Sequence, residues 1–503
     1  MKTRPALIRH PALNALALGI AAFALVMLIT SGAGPGLDPD SMSYVGAATS
    51  LAHRGTLTVP SNSWDADDST ASLTVWPPGF STAMAIPQKL GASRLMSARL
   101  VMALAALVTA TILFLLIESA AGSLAAIAGV ATVFATPAIV GVHLSVLSEP
   151  LFLACLLLTV WAMLRRPRRP SIAGIAAAAT VMVRYAGVCA PIAVVLWFFF
   201  SDEKPFRQRC THAAKAAIAP AIAIGAWVIR GALLSNAQGG MEIRVYGHFG
   251  PTFREGLSTI VDWLAPTLEA PALRAAVAIA MAAAIGFVIF KSPRTIRNRE
   301  QTSDFLKADL LMLCCYIGTL ITARTFVGDA IPFDFRILAP AILLAEAAIV
   351  VVLARSLSRA GKPLRIAAAT LAALWLIASI SVSTESVVDS ITDGLDFSSS
   401  DWRASPTVQW VKTQGKAWTI FTNWPPAIYF MTGRVSRDIP QSLDPAELRE
   451  FGETLRDQHG VFIAFSSYNT DYPPSDSIAR GAGLVEARQF SDGKIWVSPG
   501  EHP

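Results

Sequence analysis

Residues 96–117 read MSARLVMALAALVTATILFLLI, an apolar run with a single charged side chain, Arg99. An α-helix needs about 20 residues to cross the hydrocarbon of a bilayer, so this run predicts a membrane-spanning helix. Ten further apolar runs lie before and after it, at 13–30, 121–141, 145–164, 171–183, 187–200, 214–234, 272–290, 308–327, 333–354 and 364–383. The sequence therefore predicts a mainly α-helical, polytopic membrane protein with about 11 transmembrane helices.

The composition excludes several classes of protein. Of the 503 residues, 53% are hydrophobic and only 15% are charged, whereas a soluble globular domain carries about 25% charged residues. The same figures exclude a disordered chain and a disulfide scaffold. The net charge of +6 would suit a nucleic-acid-binding protein, but the basic excess falls in short loops between apolar runs, where it indicates topology. No nucleic-acid partner is expected.

The distribution of Lys and Arg predicts how the helices are oriented. If the N-terminus is cytoplasmic, the inside segments carry 20 Lys and Arg residues, and the outside segments before the tail carry 7. Such an asymmetry over short loops is the positive-inside pattern. It places the N-terminus in the cytoplasm and the C-terminal tail outside. The run at 13–30 is interpreted as an uncleaved first helix, because no Ala-x-Ala cleavage site follows it.

The tail from residue 384 changes character. Residues 1–383 carry a net charge of +12, and residues 384–503 carry one of −6. The tail also alternates short apolar runs with helical patterns. We therefore expect two domains. One is a transmembrane domain over 1–383 that includes a first outside loop at 31–95, and the other is a small extracytoplasmic α/β domain over 384–503.

The first outside loop holds two acids beside a predicted helix. It contains Leu-Asp-Pro-Asp-Ser-Met-Ser-Tyr at residues 37–44, and a helical pattern continues to Gly55. That pattern predicts a short helix along the membrane surface, with Ser41 as its N-cap. A partly shielded carboxylate at this place, Asp38 or Asp40, suits a general base or a cation ligand. The alternative is that the Asp-Pro-Asp-Ser turn only caps the helix.

Few other ionisable groups are predicted at the outer membrane edge, and charge at that depth is costly, so each is a functional candidate. Glu149 opens a returning helix, where the helix dipole is an alternative reason for an acid. Arg184 and Tyr185 lie between two short spans. Single arginines at the interface also bind lipid headgroups without specificity. Three more arginines occupy outside segments or span ends: Arg244, Arg324 and Arg336.

Taken as a set, these acids and arginines predict a site for phosphate chemistry. A carboxylate supplies the base that deprotonates an acceptor hydroxyl, and guanidinium forks stabilise a departing phosphate. A transferase whose donor is a sugar on a lipid phosphate needs both kinds of group.

Six short motifs, in this order, resemble those of one family. They are Asp-Pro-Asp-Ser-Met-Ser-Tyr after the first span, Trp-Pro-Pro-Gly-Phe from Trp76, Ser-Glu-Pro-Leu-Phe around Glu149, Val-Arg-Tyr-Ala-Gly around Arg184, Asp-Phe-Arg-Ile-Leu-Ala-Pro around Arg336, and Thr-Asn-Trp-Pro-Pro-Ala from Thr422. The chain resembles the GT-C-fold, protein O-mannosyltransferase-like glycosyltransferases of bacteria, which include the lipid A aminoarabinose transferase. The resemblance covers most of the chain.

The resemblance implies a polyprenyl-phosphate-linked sugar donor and transfer on the outer face of the bacterial inner membrane. Asp40 maps onto the family's catalytic acid, and Asp38 is its neighbour or a cation ligand. Many members carry Asp-Glu where this chain has Pro39-Asp40-Ser41. Either aspartate is therefore a candidate for the base.

The same resemblance implies roles for the other candidates. Glu149 resembles the family's second outside acid. Together with Asp38 it is a candidate ligand of a divalent metal ion, and no other cofactor is expected. The candidate contacts of the lipid phosphate and the sugar are Arg184, Tyr185, Arg336, Arg324, Arg244 and Trp76.

Two other functions would use the same features of the sequence. A transporter or flippase of a lipid-linked precursor needs the spans and the arginines but no base. The lack of an internal repeat and the clustering of charge at the outer edge disfavour it. A sensor with a ligand-binding tail needs far fewer spans. The expected function is therefore a glycosyltransferase in the lipid bilayer, with a glycan, lipid or protein as the acceptor.

Overall fold

The computed structural model describes residues 10–200, 204–234, 249–268, 270–291, 300–328, 331–466 and 472–501. Within these ranges the chain is mainly α-helical, as the sequence predicts, and it forms two compact units. The first, called the helical unit, contains the residues up to Ile29, Trp76–Phe80 and Arg99–Asp389. The second, called the mixed unit, contains Thr30–Val75, Ser81–Ala98 and the residues from Ser390 onward.

The helices as far as Thr392 supply the helical unit and the first part of the mixed unit. In chain order they are α1 (Pro11–Ile29), α2 (Pro39–Arg54), α3 (Gly79–Lys89), α4 (Arg94–Ala121), α5 (Ser123–Ala135), α6 (Pro137–Leu144), α7 (Glu149–Leu164), α8 (Pro170–Val183), α9 (Cys189–Phe200), α10 (Phe206–Leu234), α11 (Phe249–Leu264), α12 (Pro271–Lys291), α13 (Glu300–Phe326), α14 (Phe335–Leu357) and α15 (Lys362–Thr392). A 3-10 turn, Tyr185–Val188, precedes α9. α2 and most of α3 belong to the mixed unit.

Several of these helices are suited to a bilayer. Among the described residues, six are long and apolar enough to cross it: α1, α4, α10, α13, α14 and α15. α5 and α6 add a seventh span if the two count as one. Shorter apolar helices are α7, α8, the 3-10 turn joined to α9, and Pro271–Gly286 within α12. The chain is thus a membrane protein, and the count of about 11 spans stays a prediction.

The predicted span 121–141 is a broken helix in the structure. α5 and α6 meet at a bend of 59°, and Thr136 between them is extended, with φ −68° and ψ 127°. Pro137 causes the break, because proline has no N–H to donate and disfavours the α conformation in the residue before it. The Thr136 hydroxyl donates to Glu346 Oε1 on α14 (2.6 Å), so a long-range contact holds the bend.

The mixed unit contains the β-structure of the described residues. Its strands are β1 (Thr58–Val59), β2 (Ala71–Ser72), β3 (Thr419–Thr422), β4 (Gly460–Phe465), β5 (Val485–Gln489) and β6 (Gly493–Val497). β1 and β2 form a small antiparallel pair, and the larger sheet has the order β3-β4-β6-β5, with only β3 and β4 parallel. Its remaining helices are α16 (Ser400–Ala404), α17 (Pro406–Thr413), α18 (Pro425–Thr432), α19 (Pro445–Asp457) and α20 (Ser475–Gly481).

One side chain of the first outside loop is part of the mixed unit's aromatic core. Trp64 lies edge-on to Phe451 of α19, with ring centroids 5.6 Å apart. Phe462 and Trp496 stack within the sheet (4.9 Å). The sequence assigned this loop to the transmembrane domain. In the structure most of the loop packs with the tail. Trp64 is part of a core that is otherwise formed by tail residues such as Phe451, almost 400 residues further along the chain.

Candidate active site

Glu149 opens α7 in the helical unit, directly after Ser148 at the N-cap. The helix dipole stabilises an acid at this position, and Pro150 suits the first turn because its missing N–H would have no partner there. However, the Glu149 side chain is only 1% exposed. A buried carboxylate needs ionic or hydrogen-bonding partners, so capping alone does not explain this residue.

Two arginines supply those partners, and we call the three residues the Glu149 cluster. Arg184 Nη1 lies 2.7 Å from Glu149 Oε1, and Arg336 Nε donates to the same oxygen. Arg184 Nη1 also donates to Ser148 Oγ (2.9 Å). The side chains are 13% exposed for Arg184 and 24% for Arg336. The cluster therefore combines a buried acid with two partly exposed guanidinium groups, and positive charge is in excess.

The end of α8 places Arg184. This residue is the C-cap of α8 and is extended, with φ −149° and ψ 144°, before the 3-10 turn begins at Tyr185. Gly79, from the Trp-Pro-Pro-Gly-Phe motif, packs against the same end of α8. A Cβ on Gly79 would lie 2.5 Å from the Met182 carbonyl oxygen. The glycine is thus required for the close approach, and the motif supports the turn that carries Arg184.

The first turn of α14 places Arg336. Asp334 caps this helix, with its Oδ1 accepting from the Ile337 N–H (2.9 Å). Tyr316 on α13 donates its hydroxyl to the Ile337 carbonyl oxygen (2.6 Å). Sequence reasoning missed Tyr316 and Ser148. The available signal for Tyr316 was a tyrosine within an apolar span, because a buried tyrosine hydroxyl usually has a partner.

The other predicted donor contacts lie at separate points. Tyr185 is 37% exposed, and its hydroxyl accepts from Trp227 Nε1 (2.8 Å). Arg324 is buried on α13 and donates from Nε to Thr252 Oγ1 on α11 (3.0 Å). Trp76 is half-buried in the helical unit. The fourth candidate, Arg244, lies outside the described residues.

Asp38 and Asp40 lie at the start of α2 in the mixed unit. The helix begins at Pro39, so its N-cap is Asp38, and the prediction of Ser41 as N-cap was wrong. Pro39 is the reason, because proline is favoured in the first helical turn. Asp38 Oδ1 accepts from the Asp40 N–H (3.1 Å). Both acids are half-buried, and the cap bond gives Asp38 the helix-capping role that the sequence offered as the alternative.

Glu149 and Asp38 were predicted as ligands of a divalent metal ion. Within the described ranges, no set of three or more His, Cys, Asp and Glu side chains lies within reach of one metal ion. Glu149 Oε1 is engaged by two guanidinium groups, and a divalent cation beside them would be repelled. The role of Glu149 and Asp38 as metal ligands stays a prediction, and no step of the chemistry below uses it.

A cavity of about 210 Å³ lies in the mixed unit. Its walls are mostly apolar and include Leu37, the residue before Asp38, while Arg94 and Arg403 supply positive charge. Arg94 Nη1 donates to the Tyr429 hydroxyl (3.3 Å), and Arg94 Cζ lies 5.5 Å from the centre of the tyrosine ring. Burial raises the pKa of Tyr429, and the nearby Arg94 opposes that rise. Sequence reasoning did not single out Arg94 as a site residue.

Comparison with known protein families gives one match to part of the chain. Residues 76–228 match the family described as dolichyl-phosphate-mannose-protein mannosyltransferase. The matched segment holds Glu149, Arg184 and the Trp-Pro-Pro-Gly-Phe motif. Comparison with curated protein sequences gives no match.

Solved structures resemble the whole chain. ArnT from Cupriavidus metallidurans bound to undecaprenyl phosphate superposes with a TM-score of 0.60 at 10% identity, over 96% of this chain and 97% of that one. The apo state of ArnT gives 0.53 at 12% identity, over 96% and 98%. AglB, an archaeal oligosaccharyltransferase from Archaeoglobus fulgidus, in complex with an inhibitory peptide and a dolichol-phosphate, gives 0.51 at 12% identity, over 98% and 75%.

These likenesses show that the chain has the GT-C fold. The resemblance to protein O-mannosyltransferase-like, GT-C-fold glycosyltransferases is therefore confirmed.

Proposed function

We propose that the protein is an integral membrane glycosyltransferase that moves a sugar from a polyprenyl-phosphate donor to an acceptor hydroxyl. The acceptor is a lipid, a polysaccharide or a protein, and transfer takes place on the extracytoplasmic face. In a bacterial inner membrane, the positive-inside pattern leaves the N-terminus in the cytoplasm and the mixed unit outside.

The Glu149 cluster is the observation that carries this proposal. Two guanidinium groups share one oxygen of a buried carboxylate. Because there are two positive groups to one negative group and both arginines are partly exposed, the cluster presents net positive charge near the surface. Planar guanidinium groups bind phosphate oxygens through paired N–H donors, and they do so most strongly where water is scarce. Buried ion pairs contribute little net stability, so such a cluster in a membrane domain indicates function. The known structures that resemble this chain include one bound to undecaprenyl phosphate and one bound to a dolichol-phosphate.

Asp40 is proposed as the general base. Its neighbour Asp38 already accepts the Asp40 N–H as a helix cap, which favours Asp40 for proton transfer. In the reaction, the carboxylate of Asp40 takes the proton from the acceptor hydroxyl while the hydroxyl oxygen forms a bond to C1 of the sugar. The bond between C1 and the phosphate oxygen breaks, and its electron pair stays on the lipid phosphate.

Two features of this step follow from its residues. Arg184 and Arg336 are proposed to stabilise the charge that develops on the leaving phosphate. With one carboxylate acting as base and none acting as nucleophile, the displacement is direct and inverts the configuration at C1.

The test is mass spectrometry of membrane lipids and surface glycans from cells that carry the wild-type protein, Asp40→Asn or Asp38→Asn. The wild type should produce a glycosylated acceptor, and Asp40→Asn should lower its rate of formation by about 100-fold or more. Asp38→Asn is the matched control, because asparagine caps a helix as well as aspartate does. Normal product levels with Asp40→Asn, at equal amounts of protein in the membrane, would refute the assigned base.

A further inference from the structure

Two hydrogen bonds from α11 hold the backbone of Phe333, three residues before Arg336. Glu255 Oε2 accepts from the Phe333 N–H (2.9 Å), and Thr259 Oγ1 donates to the Phe333 carbonyl oxygen (2.9 Å). Gly256 lies between the two along the helix. A Cβ at Gly256 would lie 3.2 Å from both Cβ and Cδ2 of Phe333. α11 therefore holds this residue by both of its backbone polar groups and packs closely against its side chain.

Two further contacts fasten the same face of α11 to the helices on either side of Phe333. Thr252 Oγ1 accepts from Arg324 Nε on α13 (3.0 Å). Trp263 Nε1 donates to Glu346 Oε1 on α14 (2.8 Å). Positions 252, 256, 259 and 263 are spaced by four, three and four residues, so they lie on one face of the helix. This packed face is polar or small almost throughout.

Three apolar side chains of α11 lie on an exposed flank. Phe253 is 70% exposed, Leu257 53% and Ile260 43%, and their spacing places them on one side of the helix. A helix of a soluble protein would bury such a stripe. The described helices before and after α11 in the chain, α10 and α12, expose apolar residues too, since Leu233 is 77% and Leu273 is 53% exposed. Because α10 crosses the membrane by length and hydropathy, the occupant that fits this flank is the acyl chains of the bilayer.

The other flank of α11 is charged or polar. It carries Arg254, Glu255, Ser258 and Asp262, and Asp262 pairs with Arg274 of α12. A helix with one apolar and one charged flank lies in the plane of the membrane interface. α11 thus has an apolar flank, a charged flank, and a buried face that packs against the Phe333 segment.

We propose that α11 is an interfacial helix that positions Arg336 for the lipid phosphate. Its apolar flank lies among the acyl chains, and its buried face holds Phe333 in place. Asp334, the next residue, then caps α14 at a fixed position, and the first turn of α14 orients Arg336. Gly256 and Thr259 are positioning residues, because they act on Arg336 only through Phe333. The inference rests on the proposed function, in which Arg336 binds the donor phosphate.

The first arm of the test measures binding of undecaprenyl phosphate to the full-length protein in lipid nanodiscs. Gly256→Val should weaken binding about tenfold, since the new side chain displaces Phe333. Gly250→Val is the matched control on the same helix, because a Cβ there would meet nothing within 4 Å. It should bind as the wild type does.

A second pair of variants each removes a threonine hydroxyl without adding bulk; that of Thr259 lies 2.9 Å from the Phe333 carbonyl oxygen and 3.0 Å from the Glu255 carbonyl oxygen. Thr259→Val should weaken binding about fivefold, the loss expected for one buried hydrogen bond. Thr322→Val is its control, because the Thr322 hydroxyl is exposed and donates only to Gly318 of its own helix. In transfer assays, Gly256→Val and Thr259→Val should raise the KM for the donor and leave kcat at saturating donor unchanged. A merely structural role would instead lower kcat and the thermal midpoint together.

The outcomes separate this inference from the proposed function. If Arg336→Ala weakens binding but Gly256→Val and Thr259→Val do not, α11 has no positioning role and the inference is overturned. If the wild type binds no undecaprenyl phosphate at all, the proposed function fails instead. For the lipid contact, photo-leucine at position 257 should crosslink to lipid and photo-leucine at position 258 should not. Equal crosslinking would refute the interfacial placement.

Discussion

Two helices of this protein begin with similar local sequences, but the acid at each start has a different role. In both, an acid precedes a proline in the first turn: Glu149 and Pro150 in the helical unit, and Asp38 and Pro39 in the mixed unit. The Asp38 carboxylate caps its own helix and accepts the N–H two residues on. The Glu149 carboxylate is buried and binds two arginines from distant parts of the chain.

The difference shows what local sequence leaves open. An acid before a proline indicates where a helix begins, because the free N–H groups and the dipole favour it there. Whether that acid also serves a distant partner depends on what packs against the helix start. The mixed unit therefore uses such an acid as a cap, and the helical unit uses one as the centre of an ionic cluster.

The largest effect on stability is expected at Glu149. Glu149→Gln removes a carboxylate that contacts both Arg184 and Arg336, so that one negative charge is lost beside two positive ones in a buried place. We expect a loss of about 3 kcal/mol, the lower end for a broken buried pair because the arginines are partly exposed. Chemical denaturation in detergent micelles measures it. Asp38→Asn, the corresponding change at the other helix start, should cost less than about 0.5 kcal/mol. Equal losses would remove the contrast between the two sites.

The second prediction concerns which unit binds the donor phosphate. Arg336→Lys keeps the charge beside Glu149 but loses the planar fork, so the KM for the lipid-phosphate donor should rise about tenfold. Arg94→Lys makes the same change in the cavity of the mixed unit and should leave the KM near the wild-type value. Initial rates over a range of donor concentrations measure both. The reverse pattern would place the donor phosphate in the mixed unit.

The third prediction isolates the cap of α2. Asp38→Ala removes the acceptor of the Asp40 N–H and should cost about 1 kcal/mol. Asp38→Asn should restore most of that loss, because the amide oxygen accepts the same bond. Hydrogen exchange of the first amides of α2 reports the change locally. Slow exchange in the alanine variant would show that the carboxylate has a role other than capping.

The smallest effect is a change in pH dependence within the mixed unit. Burial raises the pKa of Asp438, and the hydrogen bond from the Tyr472 hydroxyl opposes this rise. Between the ordinary and the raised pKa, the Asp438 carboxyl therefore keeps its proton in the folded state and has lost it in the unfolded state. Stability consequently falls as the pH rises from the ordinary carboxyl value, about 3.9, toward the raised one.

Asp438→Asn should remove this fall. The Tm of the variant minus that of the wild type should become more positive as the pH rises through that window. Asp444→Asn is the matched control, because Asp444 is an exposed helix cap and asparagine preserves it. A difference in Tm that does not vary with pH would show that Asp438 ionises alike in both states.

Particular residues show how far prediction from sequence reached. Apolar runs predicted the helices, because a run of about 20 apolar residues with little charge has few alternatives to a membrane helix. Pro137 could have predicted the break inside 121–141, but the sequence analysis treated this run as one helix. Glu149, Arg184 and Arg336 were predicted to belong to one phosphate site, because charge is rare in such a sequence. Their contacts with each other were not predictable, since they join three helix ends far apart along the chain.

The sequence by itself determined the kind of protein and a short set of candidate residues, because hydrophobicity, helix periodicity and motifs are properties of short stretches of the chain. It did not place the first outside loop with the tail, as Trp64 and Phe451 show. Nor did it separate the capping acid from the buried one. Only the tertiary structure decided those points, because the role of a carboxylate depends on its burial and on which charges the fold brings within hydrogen-bond distance.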